Sequence, residues 1–142
     1  MIILDTTVLS ALMRRSEQPA IIDWFNSQDV EQLSTTVISL QELRYGIELL
    51  PASRRRRVME RDLQLTLHQE LDSRVIAFES DAALAAATIA ARRYKAGRPV
   101  GIADTQIAGI AVSLGAAIAT HNVRHFSDLP IPVIDPAQNP SR

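Results

Sequence analysis

Cysteine is absent from the chain of 142 residues, and aromatic residues make up only 4% of it. Without cysteine there can be no disulfide, thiolate metal site or thiol nucleophile, which suits a reducing compartment. No apolar run approaches the roughly 20 residues that a membrane-spanning helix needs. The first apolar run covers only residues 2–4, ends at an acid and follows no basic segment, unlike a secretory signal. These absences predict a soluble cytoplasmic protein with no membrane partner.

The chain also lacks a strong charge of either sign, because its formal net charge is −1. That value excludes the global positive field of many nucleic-acid-binding proteins. The basic residues are nevertheless clustered, in residues 54–57 and again in residues 92–98. Hydrophobic residues make up 46% of the chain, and with so few aromatics the core must consist of leucine, isoleucine, valine and alanine. The length fits one domain over residues 1–142.

Short apolar runs alternate with longer helical patterns along the chain. Strands are predicted over residues 2–4, 33–37, 75–78, 116–119 and 133–134. Helices are predicted over residues 8–15, from Pro19, from Ser39 to Pro51, and over 52–71, 81–95 and 102–114. Near-continuous apolar strands that alternate with helices are typical of a parallel sheet covered on both faces. The predicted fold class is therefore α/β, with a parallel sheet as the central layer of three.

Three acidic residues occur where such a sheet would bring them to one edge. Asp5 directly follows the first strand, Glu42 lies one turn into the third helix, and Asp104 lies in the most apolar helix. Open parallel sheets form their sites beyond the carboxyl ends of the strands. Each acid also has a purely structural interpretation. Asp5 is a good helix cap, and Asp104 is a first-turn acid favoured by the helix dipole. Glu42 can pair with Ser39 in a capping box.

Together the three carboxylates point to a metal site. Carboxylates crowded into one pocket repel each other unless a cation lies between them. Asp104 makes this case most directly, because residues 101–112 contain no basic residue that could neutralise it. Mg²⁺ and Mn²⁺ prefer oxygen ligands of this kind, and Mg²⁺ keeps several waters that a substrate can displace. The pattern is consistent with a divalent-metal site at Asp5, Glu42 and Asp104, but it does not name the reaction.

Four segments of the chain match a known family in order and register. They are residues 3–6 (ILDT), 39–47 (SLQELRYGI), 102–108 (IADTQIA) and 119–126 (ATHNVRHF), and residues 134–136 also fit. Through these segments the chain resembles PIN domains, and specifically the VapC-type toxins of bacterial toxin–antitoxin pairs in their FitB-like subgroup. The matching segments extend from residue 3 to residue 126, which is most of the chain.

The resemblance implies a fold, an activity and partners. The expected fold is the PIN sandwich, with the acids at the carboxyl edge of a five-stranded parallel sheet. Asp5, Glu42 and Asp104 are then catalytic residues that bind Mg²⁺ or Mn²⁺, and Thr120 and Asn122 complete the pocket. The implied activity is metal-dependent endoribonuclease cleavage of RNA. The implied partners are a second copy of the chain in a homodimer, and a cognate antitoxin that covers the site. The antitoxin is expected to be a small DNA-binding protein with a C-terminal tail.

Two positions depart from the family pattern. Many relatives have Asn two residues after the first Asp, where this chain has Thr7. Thr7 can still hold a water or a phosphate oxygen, so it is assigned to the substrate pocket. Asn122 occupies the position of a fourth acid in many PIN nucleases, and its lack of charge favours one metal over two. Asn122 can still bind a metal through its carbonyl oxygen or through water.

The basic clusters suggest where RNA would lie. Arg93 and Arg98 precede the helix that contains Asp104, and we predict that they contact RNA phosphates, which suit the planar fork of arginine. The run at residues 54–57 is interpreted as the solvated start of a long helix. His121 and His125 flank the loop after the fourth strand, and they are interpreted as turn or surface residues.

Other functions are compatible with parts of this pattern. A receiver-like signalling module would need an acceptor Asp at the end of the third strand, where Glu79 stands. A haloacid-dehalogenase-like phosphatase would need an Asp in place of Thr7. Both are disfavoured by these residues. An RNA-processing enzyme, a DNA nuclease, and a PIN-fold binding protein with weakened catalysis remain open alternatives.

Overall fold

Five short strands form one parallel sheet in the computed structural model, which describes residues 1–138. The strand order is β3-β2-β1-β4-β5, and every neighbouring pair is parallel. The predicted parallel sheet is therefore confirmed, while residues 139–142 of the predicted domain lie outside the described residues. The strands are β1 (Ile2–Leu4), β2 (Leu33–Thr36), β3 (Val75–Ile76), β4 (Ala117–Ala119) and β5 (Val133–Ile134).

Helices cover both faces of this sheet. Successive residues of a strand face opposite sides. Ile3 accordingly packs against the apolar side chains of α5 and α6, while Leu4 packs against those of α1 and α2. This arrangement confirms the predicted three-layer α/β sandwich. None of the helices formed by residues 1–138 is long and apolar enough to cross a membrane. The helices are α1 (Thr6–Met13), α2 (Pro19–Ser27), α3 (Val37–Glu48), α4 (Arg54–Leu65), α5 (Ser80–Lys95) and α6 (Ile102–Leu114).

The start of α3 and the end of α4 differ most from the helix boundaries that the sequence predicts. The N-cap of α3 is Thr36, whose hydroxyl accepts the backbone N–H of Ser39 at 3.2 Å. The capping box of Ser39 and Glu42 is therefore wrong, because the last residue of β2 already caps the helix. The fourth helix is also shorter than predicted. Helix α4 ends at Leu65, and the chain continues as a π-helical turn, Thr66–Glu70.

The direction of winding changes between β1 and β4. From β1 the chain proceeds outward to β2 and β3, and then returns across the sheet to β4 and β5. In open parallel sheets the crevice at such a switch point, beyond the carboxyl ends of the strands, is the usual ligand site. Leu4 pairs with Ala119, so Asp5 and Thr120 are the first residues beyond this edge. The backbone N–H of Asp5 donates to the Ala119 carbonyl at 3.1 Å, which holds Asp5 at the switch point.

Helices α5 and α6 approach closely because small residues line their contact. Gly109 of α6 faces Ala82 and Ala86 of α5. A Cβ atom at position 109 would lie 2.5 Å from the Ala82 carbonyl oxygen and 2.8 Å from the Ala86 Cβ atom. The missing side chain therefore sets the separation of the two helices. It also sets the position of α6, which contains Asp104.

Gly109→Ala is expected to destabilise the chain by about 1–3 kcal/mol, because the added methyl group would force α5 and α6 apart. Gly46→Ala is the matched control, since position 46 is also helical and no atom lies within 4 Å of an added Cβ. That exposed substitution is expected to stabilise α3 by about 0.5–1 kcal/mol through the higher helix propensity of alanine. Urea unfolding measures both changes, and two variants of equal stability would contradict the close contact.

Candidate active site

Asp5 is a deeply buried acid at the switch point, with 1% of its surface exposed. Its Oδ1 atom accepts the Thr7 hydroxyl at 2.6 Å and the backbone N–H of Val8 at 3.1 Å, so Asp5 is also the N-cap of α1. Its Oδ2 atom accepts the Thr120 hydroxyl at 2.6 Å. The capping role and the position at the edge of the sheet therefore coexist in one carboxylate.

The electrostatics of Asp5 reflect both its burial and a neighbouring acid. Burial raises the pKa of Asp5 above its usual value, and hydrogen bonds from Thr120, Thr7 and Val8 oppose this shift only in part. The negative charge of Asp104 raises the pKa of Asp5 further, as expected for carboxylates that lie near each other. Two acids from distant parts of the sequence are thus brought together at the switch point.

Two threonines hold the Asp5 carboxylate and join it to the loop that follows β4. Thr7 donates to Asp5 and accepts the backbone N–H of His121 at 3.0 Å. Thr120 donates to Asp5 and accepts the backbone N–H of Asn122 at 2.8 Å. Each hydroxyl uses its donor and one acceptor lone pair, so the start of α1 and the β4 loop form one wall. Both threonines that the sequence assigned to the pocket lie in this wall.

Glu42 reaches the same edge of the sheet through a neighbour of Asp5. Its Oε1 atom accepts the hydroxyl of Thr6 at 2.6 Å. The Thr6 hydroxyl also lies 3.0 Å from the hydroxyl of Ser39, so the first turns of α1 and α3 are joined. Glu42 is exposed, and its second carboxylate oxygen has no hydrogen-bonding partner within residues 1–138. One oxygen of Glu42 is therefore accessible beside the buried Asp5.

Asp104 lies half-buried in the first turn of α6. Its Oδ2 atom lies 2.5 Å from the Nδ1 atom of His125, which belongs to a short 3-10 turn after β4, Val123–His125. The interpretation of His125 as a turn residue was correct, but it missed this contact with an acid. The Oδ1 atom of Asp104 has no hydrogen-bonding partner in the described part of the chain. Asp104 therefore presents a free oxygen at the edge where Asp5 lies.

The donors at this edge are oxygens, and in their chemistry they fit a hard divalent cation. Within residues 1–138, however, no group of three acidic or histidine side chains lies close enough to hold one ion. The predicted convergence of three carboxylates is therefore not observed among the described residues, and Glu42 is hydrogen-bonded to Thr6. Mg²⁺ is usually bound through one or two carboxylates and several waters. Asp5 and Asp104 provide such a pair, so the residues present still fit the metal.

Arg93 of α5 is 4% exposed, and each of its three guanidinium nitrogens donates at least one hydrogen bond within the protein. It contacts the two carboxylate oxygens of Asp128 at 2.8 and 2.9 Å. It also donates to the Thr105 hydroxyl at 3.2 Å and to the His125 carbonyl at 2.6 Å. The predicted contact between Arg93 and RNA is therefore wrong. Arg93 instead braces the start of α6 and the loop after β4, the two segments that meet at Asp104.

Arg98 and Asn122 lie beside the acidic edge. Both are exposed, and both line one groove together with His121. The ring of His121 contacts Gln18, with 2.7 Å between its Nε2 atom and the Oε1 atom of Gln18. The side chain of Asn122 makes no hydrogen bond within residues 1–138. These placements are compatible with the predicted roles of Asn122 toward a metal and of Arg98 toward substrate.

Three contacts of the site were not predicted from sequence. They are Thr6 with Glu42, Asp104 with His125, and Arg93 with Asp128. Each joins residues from different elements, so no spacing within one helix or strand reveals the pair.

One signal was available for Arg93. It continues the buried stripe of Ala82, Ala86 and Ile89 on α5 at helical spacing. A charge on the apolar face of an amphipathic helix indicates a buried, partnered residue rather than a solvated one. The periodicity of α5 thus predicts the burial of Arg93, but not its partner.

The chain is similar to proteins of one known family. The sequence pattern of the PIN domain family matches residues 2–131. VapC ribonuclease Y4jK of Sinorhizobium fredii is 33% identical over 136 residues, which are 96% of this chain and 97% of that protein. Toxin FitB of Neisseria gonorrhoeae is 26% identical over 96% of this chain and 98% of its own length.

Solved structures agree with the sequence comparison. The crystal structure of FitAcB from Neisseria gonorrhoeae superposes with a TM-score of 0.87 and 26% identity, over 98% of this chain and 100% of that chain. The structure of DNA-bound VapBC from Salmonella typhimurium gives a TM-score of 0.75 and 30% identity, over 95% of this chain and 97% of that chain. The fold, the family pattern and the near-complete coverage agree, and the chain belongs to the PIN domain family as a VapC-type member.

Proposed function

We propose that the chain is a metal-dependent endoribonuclease and the toxin of a toxin–antitoxin pair. The observation that carries the proposal is that Asp5 and Asp104 are bonded to the same loop after β4, Asp5 through Thr120 and Asp104 through His125. Perturbed carboxylates in a crevice are typical of sites that handle cations and reacting phosphates. The 33% identity to a VapC ribonuclease, over nearly the whole chain, supports RNA as the substrate.

Asp5 and Asp104 would hold Mg²⁺ or Mn²⁺, and Glu42 and Asn122 are the further oxygen donors proposed for the site. When bound, such a cation supplies positive charge that stabilises the transition state and lowers the pKa of water. The hydroxyl of Thr120 donates to Asp5, which keeps that carboxylate oriented as an ionised acceptor. These residues would hold the cation at the carboxyl edge of β1 and β4, where its positive charge would attract the scissile phosphate.

Glu42 is the proposed acceptor of the proton from the attacking water, because one of its oxygens is accessible and has no partner within residues 1–138. The water oxygen bonds to phosphorus while the bond from phosphorus to the leaving sugar oxygen breaks. The leaving oxygen takes a proton from solvent. The Thr6 hydroxyl, 2.6 Å from the other oxygen of Glu42, fixes the orientation of this carboxylate.

The proposed partner is a cognate antitoxin, a small DNA-binding protein whose C-terminal tail covers the site. The names of two matched structures, FitAcB and DNA-bound VapBC, support a partner of this kind. A second copy of the chain is the proposed partner in a homodimer. An RNA substrate would place the reaction in the cytoplasm.

Asp104→Asn is expected to reduce the Mn²⁺-dependent cleavage of single-stranded RNA by more than about 100-fold. Mutating a residue that only supports a metal ligand typically lowers metal affinity or activity by about 10- to 100-fold. Replacing a ligand itself should lower the cleavage rate by more than that. The matched control is Asp81→Asn, which also removes a first-turn acid, on the exposed start of α5. Initial rates over a Mn²⁺ titration measure both effects.

Three outcomes of this assay would oppose parts of the proposal. If the Asp104→Asn variant cleaves RNA at the wild-type rate, Asp104 is not a metal ligand of the site. Undiminished cleavage by the wild-type chain in EDTA would contradict metal dependence. Faster cleavage of DNA than of RNA would favour the DNA-nuclease alternative, and no cleavage of either would favour a binding protein.

A further inference from the structure

A cleft rich in arginine adjoins the carboxylate site. It lies between the end of α5 and the loop after β4, and its charged lining consists of Arg92, Arg93, Arg98, Arg124 and Asp128. We propose that Arg98 and Arg124 form a phosphate subsite in this arginine cleft, which holds the backbone of single-stranded RNA next to the scissile bond. The inference rests on the proposed nuclease function, and it identifies the side of the site along which the RNA extends.

The charges of the arginine cleft are available to an anion. Arg93 is paired with Asp128, the single acid in the lining, so their charges largely cancel. Arg98 lies close enough to act on the same acid, since Arg93 chiefly, and Arg98 to a smaller extent, lower the pKa of Asp128. Arg98 and Arg124 are exposed, and neither has an acidic partner within residues 1–138. A local excess of positive charge therefore exists in a chain whose net charge is −1.

The arginine cleft is continuous with the carboxylate site. Arg98 and Arg124 also line the neighbouring groove, which contains His125 and one acid, Asp135. His125 contacts Asp104. A strand with one phosphate at the acidic edge would therefore pass along this groove toward the two arginines. The acids alone repel an anionic substrate, and the arginines offset that repulsion on one side only.

Hydrogen bonds within the protein hold the two walls of the arginine cleft in place. The backbone N–H of Arg98 donates to the carbonyl of Arg93 at 2.9 Å, and the guanidinium of Arg93 holds the His125 carbonyl and Asp128 on the opposite wall. Arg98 and Arg124 are thereby carried on segments joined by one buried residue. Such a preformed site loses less conformational entropy when it binds.

The lining indicates which part of RNA is bound. Planar guanidinium groups match phosphate oxygens in geometry and charge. No aromatic or imidazole ring lines the arginine cleft within the described chain, so the cleft itself offers no platform for stacking bases. The neighbouring groove contains the imidazole rings of His121 and His125. Contacts to phosphate alone carry little sequence information. The subsite should therefore strengthen binding without selecting the sequence that is cut.

The test is the salt dependence of binding between an oligouridylate and the full chain in EDTA. The double variant Arg98→Gln, Arg124→Gln removes two proposed phosphate contacts. A plot of log K against log salt has a negative slope, and each contact to a single strand contributes about 0.7 to its magnitude. The slope of the variant should therefore be shallower than that of the wild type by about 1.4. The control double variant Arg54→Gln, Arg57→Gln removes two exposed arginines from the start of α4 and should leave the slope unchanged. In the cleavage assay, the loss should fall on KM rather than on kcat.

An unchanged slope for the Arg98, Arg124 variant would overturn the subsite, even if the wild-type chain cleaves RNA. An absence of oligouridylate binding by the wild-type chain at low salt would overturn it as well. Oligoglutamate is the second probe. If the variant lost affinity for oligoglutamate but kept its affinity for RNA, the cleft would bind an acidic protein segment instead. Failure of the nuclease proposal is separate, because it appears as absent cleavage with binding intact.

Discussion

Asp5→Asn is expected to abolish RNA cleavage while leaving the chain folded at neutral pH. The loss of activity should exceed about 100-fold, since the change removes the charge of a proposed metal ligand. The amide has nearly the same shape as the carboxylate. Its carbonyl oxygen can still accept the backbone N–H of Val8 and the hydroxyl of Thr7, so the cap of α1 is retained.

The stability of this variant follows from the pKa of Asp5. Burial raises that pKa above the value in the unfolded chain, so the protonated form of Asp5 is favoured more in the folded chain than in the unfolded one. The ionised form therefore lowers the free energy of unfolding, by an amount that grows as pH rises from the unfolded pKa through the folded one. Asp5→Asn removes this effect and the repulsion from Asp104. The variant also loses the hydrogen bond from the Thr120 hydroxyl, which an amide nitrogen cannot accept, and this loss does not depend on pH. The stability of the variant relative to the wild type should therefore be highest at neutral pH and lowest at pH values below the unfolded pKa.

Urea unfolding in EDTA across this pH range measures the effect, and Mn²⁺ adds a second readout. An ion at about 100 times its dissociation constant stabilises a binding-competent fold by about 2.7 kcal/mol. Wild-type stability should rise on addition of Mn²⁺, whereas that of the Asp5→Asn variant should not. Asp23→Asn, on the exposed face of α2, is the control and should behave as the wild type. Unfolding of the Asp5→Asn variant at neutral pH would mean that Asp5 is needed chiefly as a cap.

The sheet could be predicted because four of its five strands are wholly apolar, while β2, with the sequence LSTT, was predicted from its threonines. Burial on both faces removes the alternation of polar and apolar residues, and a short run such as Ile2–Leu4 then differs clearly from the helices around it. Helix starts were less predictable where two residues could serve as caps. Thr36 and Ser39 are both suitable, and the choice of Thr36 depends on where β2 ends. Strand ends are set by pairing with neighbours, which local sequence does not encode.

The site was predictable as a location and less so as a set of contacts. Asp5 and Asp104 could be placed together because parallel strands expose their carboxyl ends at one edge. The orientation of Glu42 could not, since it depends on a hydroxyl of α1 that meets α3 only in the folded chain. The ion pair of Arg93 could not be predicted either, because its partner Asp128 lies in a different part of the chain. The topology of the sheet thus predicts where the site residues lie, whereas their hydrogen-bonding partners depend on side-chain packing in the folded chain.

Arg93→Met is expected to destabilise the chain by about 3 kcal/mol, the largest loss of stability among these substitutions. Removing one member of a buried ion pair typically costs about 3–5 kcal/mol, and the partial exposure of Asp128 places this pair at the lower end. The change also removes the hydrogen bonds to Thr105 and to the His125 carbonyl. For a chain of this size the melting temperature should fall by about 6–12 °C.

Arg92→Met is the matched control, because Arg92 is the exposed neighbour of Arg93 on α5 and should change stability by less than about 0.5 kcal/mol. Arg93→Lys keeps the charge but not the planar fork, so it should recover only part of the loss. The pH dependence separates the ion pair from packing. Arg93 lowers the pKa of Asp128, so the pair stabilises the fold above the unfolded pKa and is lost as pH falls through the folded one. The difference in the free energy of unfolding between the wild type and Arg93→Met should therefore become smaller over that acid range. A difference that does not depend on pH would assign the loss of stability to packing alone.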